Sequence, residues 1–159
     1  AGVQSEDLIE RVQAEIEQAL TGKVTLEDFS KEMPGIFRRF GVTPTSAHHI
    51  ETVFQNGMQS SYNHGRWRMQ TDPAVKDLFH WMYDAVEDDR TRPSHAAMDG
   101  VTRPPDDSIW RTWYPPNGHR CRCRIMTVPV EEATVTDKRR IARAAPDPGW
   151  SSNPGEWMD

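Results

Sequence analysis

Cysteine is nearly missing from this chain: of 159 residues only Cys121 and Cys123 carry thiols, with one residue between them. A bridge across so short a step would be strained and no distant Cys is available, so a disulfide framework is excluded and a reducing compartment is expected. Long apolar runs are missing too. No stretch approaches the roughly 20 residues that cross a bilayer, and the opening AGVQSEDLIE is acidic, so neither a membrane span nor an N-terminal secretory signal is expected. A first residue other than Met fits a processed piece of a longer chain or a laboratory terminus. There is no excess of positive charge, since 19 Lys and Arg face 24 Asp and Glu for a net charge of -5. That excludes attraction of the whole molecule to nucleic acid and leaves only local basic patches. No internal repeat is present. What is abundant is interruption: 12 Pro and 10 Gly, with a mean hydropathy of -0.77, predict much loop, or surfaces that a larger assembly covers, around one modest core.

The first half has the helical period. Ser5, followed by two acids, reads as a cap, and Leu8, Ile9, Val12, Ile16 and Leu20 form one apolar stripe that Gly22 ends. Thr25 with Asp28 is a capping-box spacing that opens a second helix, which Pro34 and Gly35 should interrupt before Ile36, Phe37 and Phe40 resume it up to Gly41. A third, longer helix is predicted from Thr45 or Ser46 to about Met69, with Ile50, Val53, Phe54, Met58 and Tyr62 on one face. After Pro73 the period falls to two: Phe79, Trp81, Tyr83 and Ala85 alternate as a strand does. A turn at Asp99-Gly100 and a short helix holding Ile109, Trp110 and Trp113 follow, stopped by Pro115 and Pro116. RCRCRIMTV then reads as a half-buried strand, with Arg120, Arg122 and Arg124 outside and Cys121, Cys123 and Ile125 inside. Residues 130–145 hold one or two amphipathic turns, basic at Lys138, Arg139, Arg140 and Arg143. The last residues, PDPGWSSNPGEWMD, have no usable period and read as an extended tail. The fold class is therefore α+β: a helical N-terminal half of about three helices, then a small antiparallel sheet from residues near 78–86, 101–103 and 119–128, then the tail. The domain reading is 1–44 for N-terminal helices, 45–145 for the main domain and 146–159 for the tail.

Only one set of soft ligands is available, His95 with Cys121 and Cys123, to which His119 or Asp99 could add a fourth. Cysteines two apart face one way, so both sulfurs can reach one zinc ion, although two to four intervening residues is the usual spacing; small buried thiols that pack as apolar groups are the plainer account. Zinc-deaminase chemistry needs a His-x-Glu and a Pro-Cys-x-x-Cys, and neither occurs. A nuclease would draw on His64, His95, His119 and arginines in a cleft, yet no spacing pairs a nucleophile with a base, so no catalytic turnover is expected.

Four blocks carry a resemblance: HIETVFQNGMQSSYNHGRW, DDRTRPSHAAMDG, YPPNGHRCRCRIMTV and PDPGWSSNPG. In this order, over about residues 45–155, they resemble the phage Mu F-like head morphogenesis family, minor capsid proteins of tailed phages. The resemblance places Gln59, Tyr62, Gly65 and Arg66 on a long helix, and makes Arg90, His95, Asp99, Gly100, Pro115, Pro116, Gly118, Cys121, Arg122 and Cys123 the recognisable core. Relatives from Gram-positive phages carry a Cys-x-x-Cys where this chain has Arg92 and His95, which implies a four-thiolate zinc site there and a set reduced to His95, Cys121 and Cys123 here, with or without metal.

The resemblance implies a structural role in the virion interior, reached from the host cytoplasm during assembly. It implies contact with the portal, major capsid or scaffold protein, and in some relatives with DNA during ejection. A local basic face of Arg122, Arg124, Lys138, Arg139 and Arg140 would make that DNA contact. A nuclease-like or toxin-associated enzymatic domain is the alternative.

Overall fold

A computed structural model describes residues 2–43, 46–141 and 145–156. The chain divides into two compact units, residues 1–58 and 59–159. Among the described residues the helices are α1 (Gly2–Leu20), α2 (Leu26–Arg39), α3 (Ala47–Gln70), α4 (Pro93–Ala96), α5 (Trp110–Trp113) and α6 (Lys138–Ile141), and the strands are β1 (Phe79–Asp84), β2 (Thr102–Arg103) and β3 (Arg124–Pro129). The architecture is the expected α+β, with an antiparallel sheet ordered β2-β1-β3. No described helix is long and apolar enough to cross a membrane.

The first unit is a helical cluster. Its α2 begins at the anticipated capping box: Thr25 Oγ1 accepts from Asp28 N–H at 3.2 Å while Asp28 Oδ2 accepts from Thr25 N–H at 3.1 Å. Pro34 does not interrupt α2, contrary to expectation. Its ring removes the amide that would bond the Ser30 carbonyl, but Phe29, Met33, Ile36 and Phe37 are all buried on one face, and their burial outweighs one lost bond. α1 starts at Gly2, so Ser5 lies inside the helix and not at its cap. Of the α1 stripe, Leu8, Val12 and Ile16 join the core, at steps of four. Ile9, at 56% exposure, and Leu20 do not, because a helix shows a neighbour only a narrow seam. Gly57 allows α3 to pass close to α1, since a Cβ there would sit 2.1 Å from Ile16 Cδ1. Of the two anticipated starts, Thr45 falls outside the described residues, and Ser46 immediately precedes α3, its Oγ accepting from His49 N–H at 3.2 Å.

In the second unit β1 is the central strand, paired with β2 through Trp81↔Arg103 and with β3 from Phe79↔Pro129 to Asp84↔Arg124. Its alternation is as read: Trp81 and Tyr83 are buried, and Ala85 continues the series. Trp81 is the hub of an aromatic cluster, with Trp67, Tyr114 and Trp110 ring centroids 5.2, 5.6 and 5.9 Å away.

β3 is an edge strand, and α3 closes that edge with polar side chains. Gln59 Nε2 donates to the Cys123 carbonyl at 2.9 Å, and Arg66 Nη2 and Gln70 Nε2 both donate to the Ile125 carbonyl, at 2.6 and 3.2 Å. The Tyr114 hydroxyl donates to Gln70 Oε1 at 2.7 Å and so fixes the amide that does this work. Gln59, Arg66 and Gln70 recur on one helix face, and outward carbonyls that would otherwise template another strand are taken. Tyr62, expected in the apolar stripe, is exposed; its hydroxyl accepts from Arg66 Nη1 at 3.3 Å. Nothing within 4 Å of a Cβ at Gly65 explains the glycine there.

The tail has no strand, but it is held. Asn153 Nδ2 donates to the Trp110 carbonyl at 3.1 Å, and Pro154–Glu156 form a 3-10 turn against α3. A Cβ at Gly155 would lie 2.1 Å from Trp67 Cγ. Gly155→Ala should therefore lower stability by about 1 to 3 kcal/mol in urea unfolding through overpacking. An unchanged midpoint would mean that the tail does not pack on Trp67.

Asp107 ties β2 to the loop before α5: Arg103 Nε donates to its Oδ2 at 2.8 Å and Ile109 N–H to its Oδ1 at 3.1 Å. Burial pushes this carboxyl up, but the Arg103 hydrogen bonds, the Ile109 amide and the Arg103 and Lys138 charges more than reverse it, leaving it below its ordinary value. A carboxyl depressed in the folded state stabilises fully above its unfolded value, near about 4, and loses that contribution as pH falls through the folded one. Unfolding free energies measured from neutral to acid pH should show this loss in the native chain and not in Asp107→Asn, which should cost about 1.5 to 3 kcal/mol at neutral pH. Parallel pH curves for the two would contradict it.

Candidate functional site

The His95 ring lies between two sulfurs. Its Nδ1 is 3.7 Å from Cys121 Sγ and 3.6 Å from Cys123 Sγ. All three side chains are sealed in the core, at 2%, 4% and 2% exposure. α4 supplies His95, with Pro93 at its first turn, where a missing amide costs nothing. The cysteines are not on the strand that the alternation predicted. β3 begins only at Arg124, because Arg120 sits at φ 56° and Cys121 N–H closes a turn to the Gly118 carbonyl. The side-to-side alternation survives outside the ladder, so both thiols still face inward.

His95 Nε2 lies 3.2 Å from the Asn117 carbonyl and 3.9 Å from Asp147 Oδ1. A carbonyl only accepts, so Nε2 carries the proton and Nδ1 presents its lone pair to the sulfurs. Asn117 is itself pinned: its Nδ2 donates to the Thr112 carbonyl at 3.1 Å, its Oδ1 accepts from the Tyr83 hydroxyl at 3.1 Å, and its carbonyl also accepts from Asp147 N–H at 3.0 Å. Trp113 covers both rings edge-on, its centroid 6.2 Å from that of His95 and 5.8 Å from that of Tyr83. Trp110 packs on Trp81 at a tilt and not on this cluster.

The two thiols are not equivalent. Cys121 ionises more readily than an ordinary thiol chiefly because Cys123 hydrogen-bonds to it, with the backbone of Asn117 and Cys123 adding to this against the opposing effect of burial; the same hydrogen bond, together with burial, pushes Cys123 up. Burial, reinforced by both thiols, also holds the Tyr83 hydroxyl far above the ordinary phenol value.

The suggested fourth ligands are engaged elsewhere. Asp99 Oδ1 accepts from Ala85 N–H at 2.9 Å, and the His119 ring meets that of Trp150 edge-on, with centroids 4.9 Å apart. Among the described residues His95, Cys121 and Cys123 are the one group of three or more His, Cys, Asp or Glu that could hold an ion. Arg92, beside them, fixes the tail: its Nε is 2.7 Å from Asp147 Oδ2 and its Nη2 donates to the His119 carbonyl at 2.9 Å. Gly118 is needed for that approach, since a Cβ there would lie 2.4 Å from Asp147 Oδ2. Gly100, at φ 69°, takes a conformation that suits glycine, and its amide donates to the Tyr83 carbonyl at 2.9 Å. Pro115 and Pro116 are buried next to Asn117, and Arg90 donates to Asp88.

The basic residues are paired within the chain. Arg122 forks onto Asp88 at 2.7 and 2.6 Å, and its hydrogen bonds hold that carboxyl well below the usual carboxylate range. Arg124 meets its cross-strand partner Asp84 at 2.6 Å. Arg139 pairs with Asp137, Arg140 donates to the Asp99 carbonyl at 3.0 Å, and Lys138 lies 3.8 Å from Asp107. Arg143 lies outside the described residues.

Sequence reasoning missed Asn117, Asp147 and Tyr83 as parts of this site, and Gln70 as a support of the β3 edge. Asn117-Gly118 was legible only as a turn, and Asp147 only as part of a Pro/Gly-rich tail.

The chain is 25% identical over 201 aligned positions to the capsid assembly protein F of Escherichia phage Mu, covering 94% of this chain and 45% of that protein. It is 28% identical over 131 positions to the Mu-like prophage FluMu F protein of Haemophilus influenzae, covering 75% of this chain and 31% of that one. The chain thus spans less than half the length of these curated relatives. No solved structure matches it. The pattern of the family described as Phage Mu protein F like protein matches residues 10–126, well over half of the sequence, and the chain belongs to that family.

Proposed function

We propose that this chain is a structural component of phage head assembly, acting inside the capsid on the portal, major capsid or scaffold protein and turning over no substrate. The names of its relatives support the assembly role. The observation that carries the structural reading is the burial of the His95, Cys121 and Cys123 cluster. A catalytic nucleophile and base need access to substrate. One cavity is lined by Ala85, Val86, Asp88 and Asp99 and another by Trp67, Lys76, Asp106 and Trp110, and none of the three cluster residues lines either. Exposed apolar side chains suit an assembly surface: Leu78 and Val130 are joined by a Val130 N–H to Leu78 carbonyl bond at 3.2 Å, and both are exposed.

Contact with packaged DNA belongs to this reading through Arg122, Arg124, Lys138, Arg139 and Arg140. It has to displace the internal partners of these side chains, so retention should be weak and should fall steeply with salt.

Cross-linking in infected cells followed by mass spectrometry should join residues near Leu78 and Val130 to a head protein. Leu78→Asp with Val130→Asp should reduce co-purification with that partner by about tenfold or more without moving the melting temperature. Full co-purification by the double variant would remove this surface from the account. Incubation with RNA and DNA should leave both intact; degradation that disappears in His95→Ala would replace the structural reading with the nuclease one. Arg124→Glu should weaken DNA retention at low salt, and unchanged retention would remove DNA from the account.

A further inference from the structure

We infer that His95 Nδ1, Cys121 Sγ and Cys123 Sγ are three protein ligands of one buried, structural zinc-class ion, a site that stands independently of which head protein the chain contacts.

The first argument is a count of lone pairs. Nδ1 offers one, and two sulfurs converge on it at 3.7 and 3.6 Å. One lone pair accepts one S–H, so with both thiols protonated one of them is left with the other sulfur, a weak acceptor, as its partner, whereas an ion between the three atoms takes a lone pair from each at once.

The second argument is size. A tetrahedral zinc with Zn–S of about 2.3 Å and Zn–N of about 2.0 to 2.1 Å sets its sulfur and nitrogen ligands about 3.6 Å apart. The two observed separations match that edge, and all three ligand atoms lie within 4.8 Å of one another. Little movement is needed to close the site.

The third argument is preparation. The Asn117 carbonyl takes the Nε2 proton at 3.2 Å, so the nitrogen facing the sulfurs is bare and oriented, which is the outer-shell arrangement that metal-bound histidines use. Asn117 also holds the hydroxyl of Tyr83, whose proton goes to Asn117 Oδ1 at 3.1 Å.

Charge decides the class of ion. A divalent cation with two thiolates and a neutral imidazole sums to zero, which the buried setting tolerates, whereas unpaired thiolates there would not be tolerated. Sulfur and imidazole donors select zinc-like ions over magnesium or calcium, which take oxygen. On binding, each thiol loses its proton to solvent and each sulfur forms one bond to the ion; nothing is oxidised or reduced.

The test uses the full chain, purified without added metal and analysed by elemental mass spectrometry. Close to one zinc per chain is expected. Stripping it with a chelator should lower the melting temperature, and Co(II) added to the stripped protein should give the intense near-ultraviolet thiolate charge-transfer band and the visible bands of a tetrahedral site. Cys123→Ser and His95→Gln should each lose the ion, while His119→Ala, outside the cluster, should keep it. Where a variant does not fold, the Co(II) titration of the native sequence decides alone. Native protein that carries no metal, gives no thiolate band with Co(II) and melts at the same temperature with and without zinc would overturn the assignment.

Discussion

The second unit hangs on one hydrogen bond, from His95 Nε2 to the Asn117 carbonyl. It decides which nitrogen of a buried imidazole is bare, and therefore what can face the two thiols. The same carbonyl takes the amide of Asp147, which brings the tail back over the site, and the Asn117 side chain takes the hydroxyl of Tyr83 on the central strand. One residue between α5 and the cysteines thus connects α4, β1, the cysteine loop and the tail. Buried polar groups are costly unless every one is satisfied, and this cluster is satisfied mainly from within.

A second constraint is the open edge of β3. A three-stranded sheet has two edges, and an open one would invite pairing with another chain. Arg66 and Gln70 donate from α3 to the Ile125 carbonyl of β3, and Gln59 to the Cys123 carbonyl just before the strand, so that this end of the edge becomes a helix-to-strand interface. Two residues of the family-like helix block, Gln59 and Arg66, thereby acquire a physical reason: they hold α3 against the cysteine loop and β3. Closing this edge while leaving Leu78 and Val130 exposed separates a surface that must not pair from an apolar one open to solvent.

What the sequence made legible follows from how local each signal is. The capping box at Thr25, the alternation through Trp81 and Tyr83 and the turn at Gly100 depend on neighbours a few residues away, and all three are present. Pro34 was misjudged because the burial of Phe29, Met33, Ile36 and Phe37 is a tertiary effect that overrides a local breaker. The Cys-x-Cys segment reads as a strand because inward and outward alternation continues through it, although Arg120 turns the chain and the ladder starts only at Arg124. Three site residues were visible as chemistry: His95, Cys121 and Cys123. Their supports were not, since Asn117, Asp147 and Gln70 act across separations of 22, 52 and 55 residues to His95, His95 and Ile125, beyond the reach of any period or spacing rule.

The protonation of the His95 ring tests the central claim most directly. Long-range nitrogen–proton NMR correlation on the labelled chain reports which ring nitrogen carries hydrogen. The account predicts a single form with the proton on Nε2, slow to exchange with solvent, and a bare Nδ1. A ring protonated on Nδ1, or one whose Nε2 proton exchanges as freely as that of an exposed histidine, would contradict it.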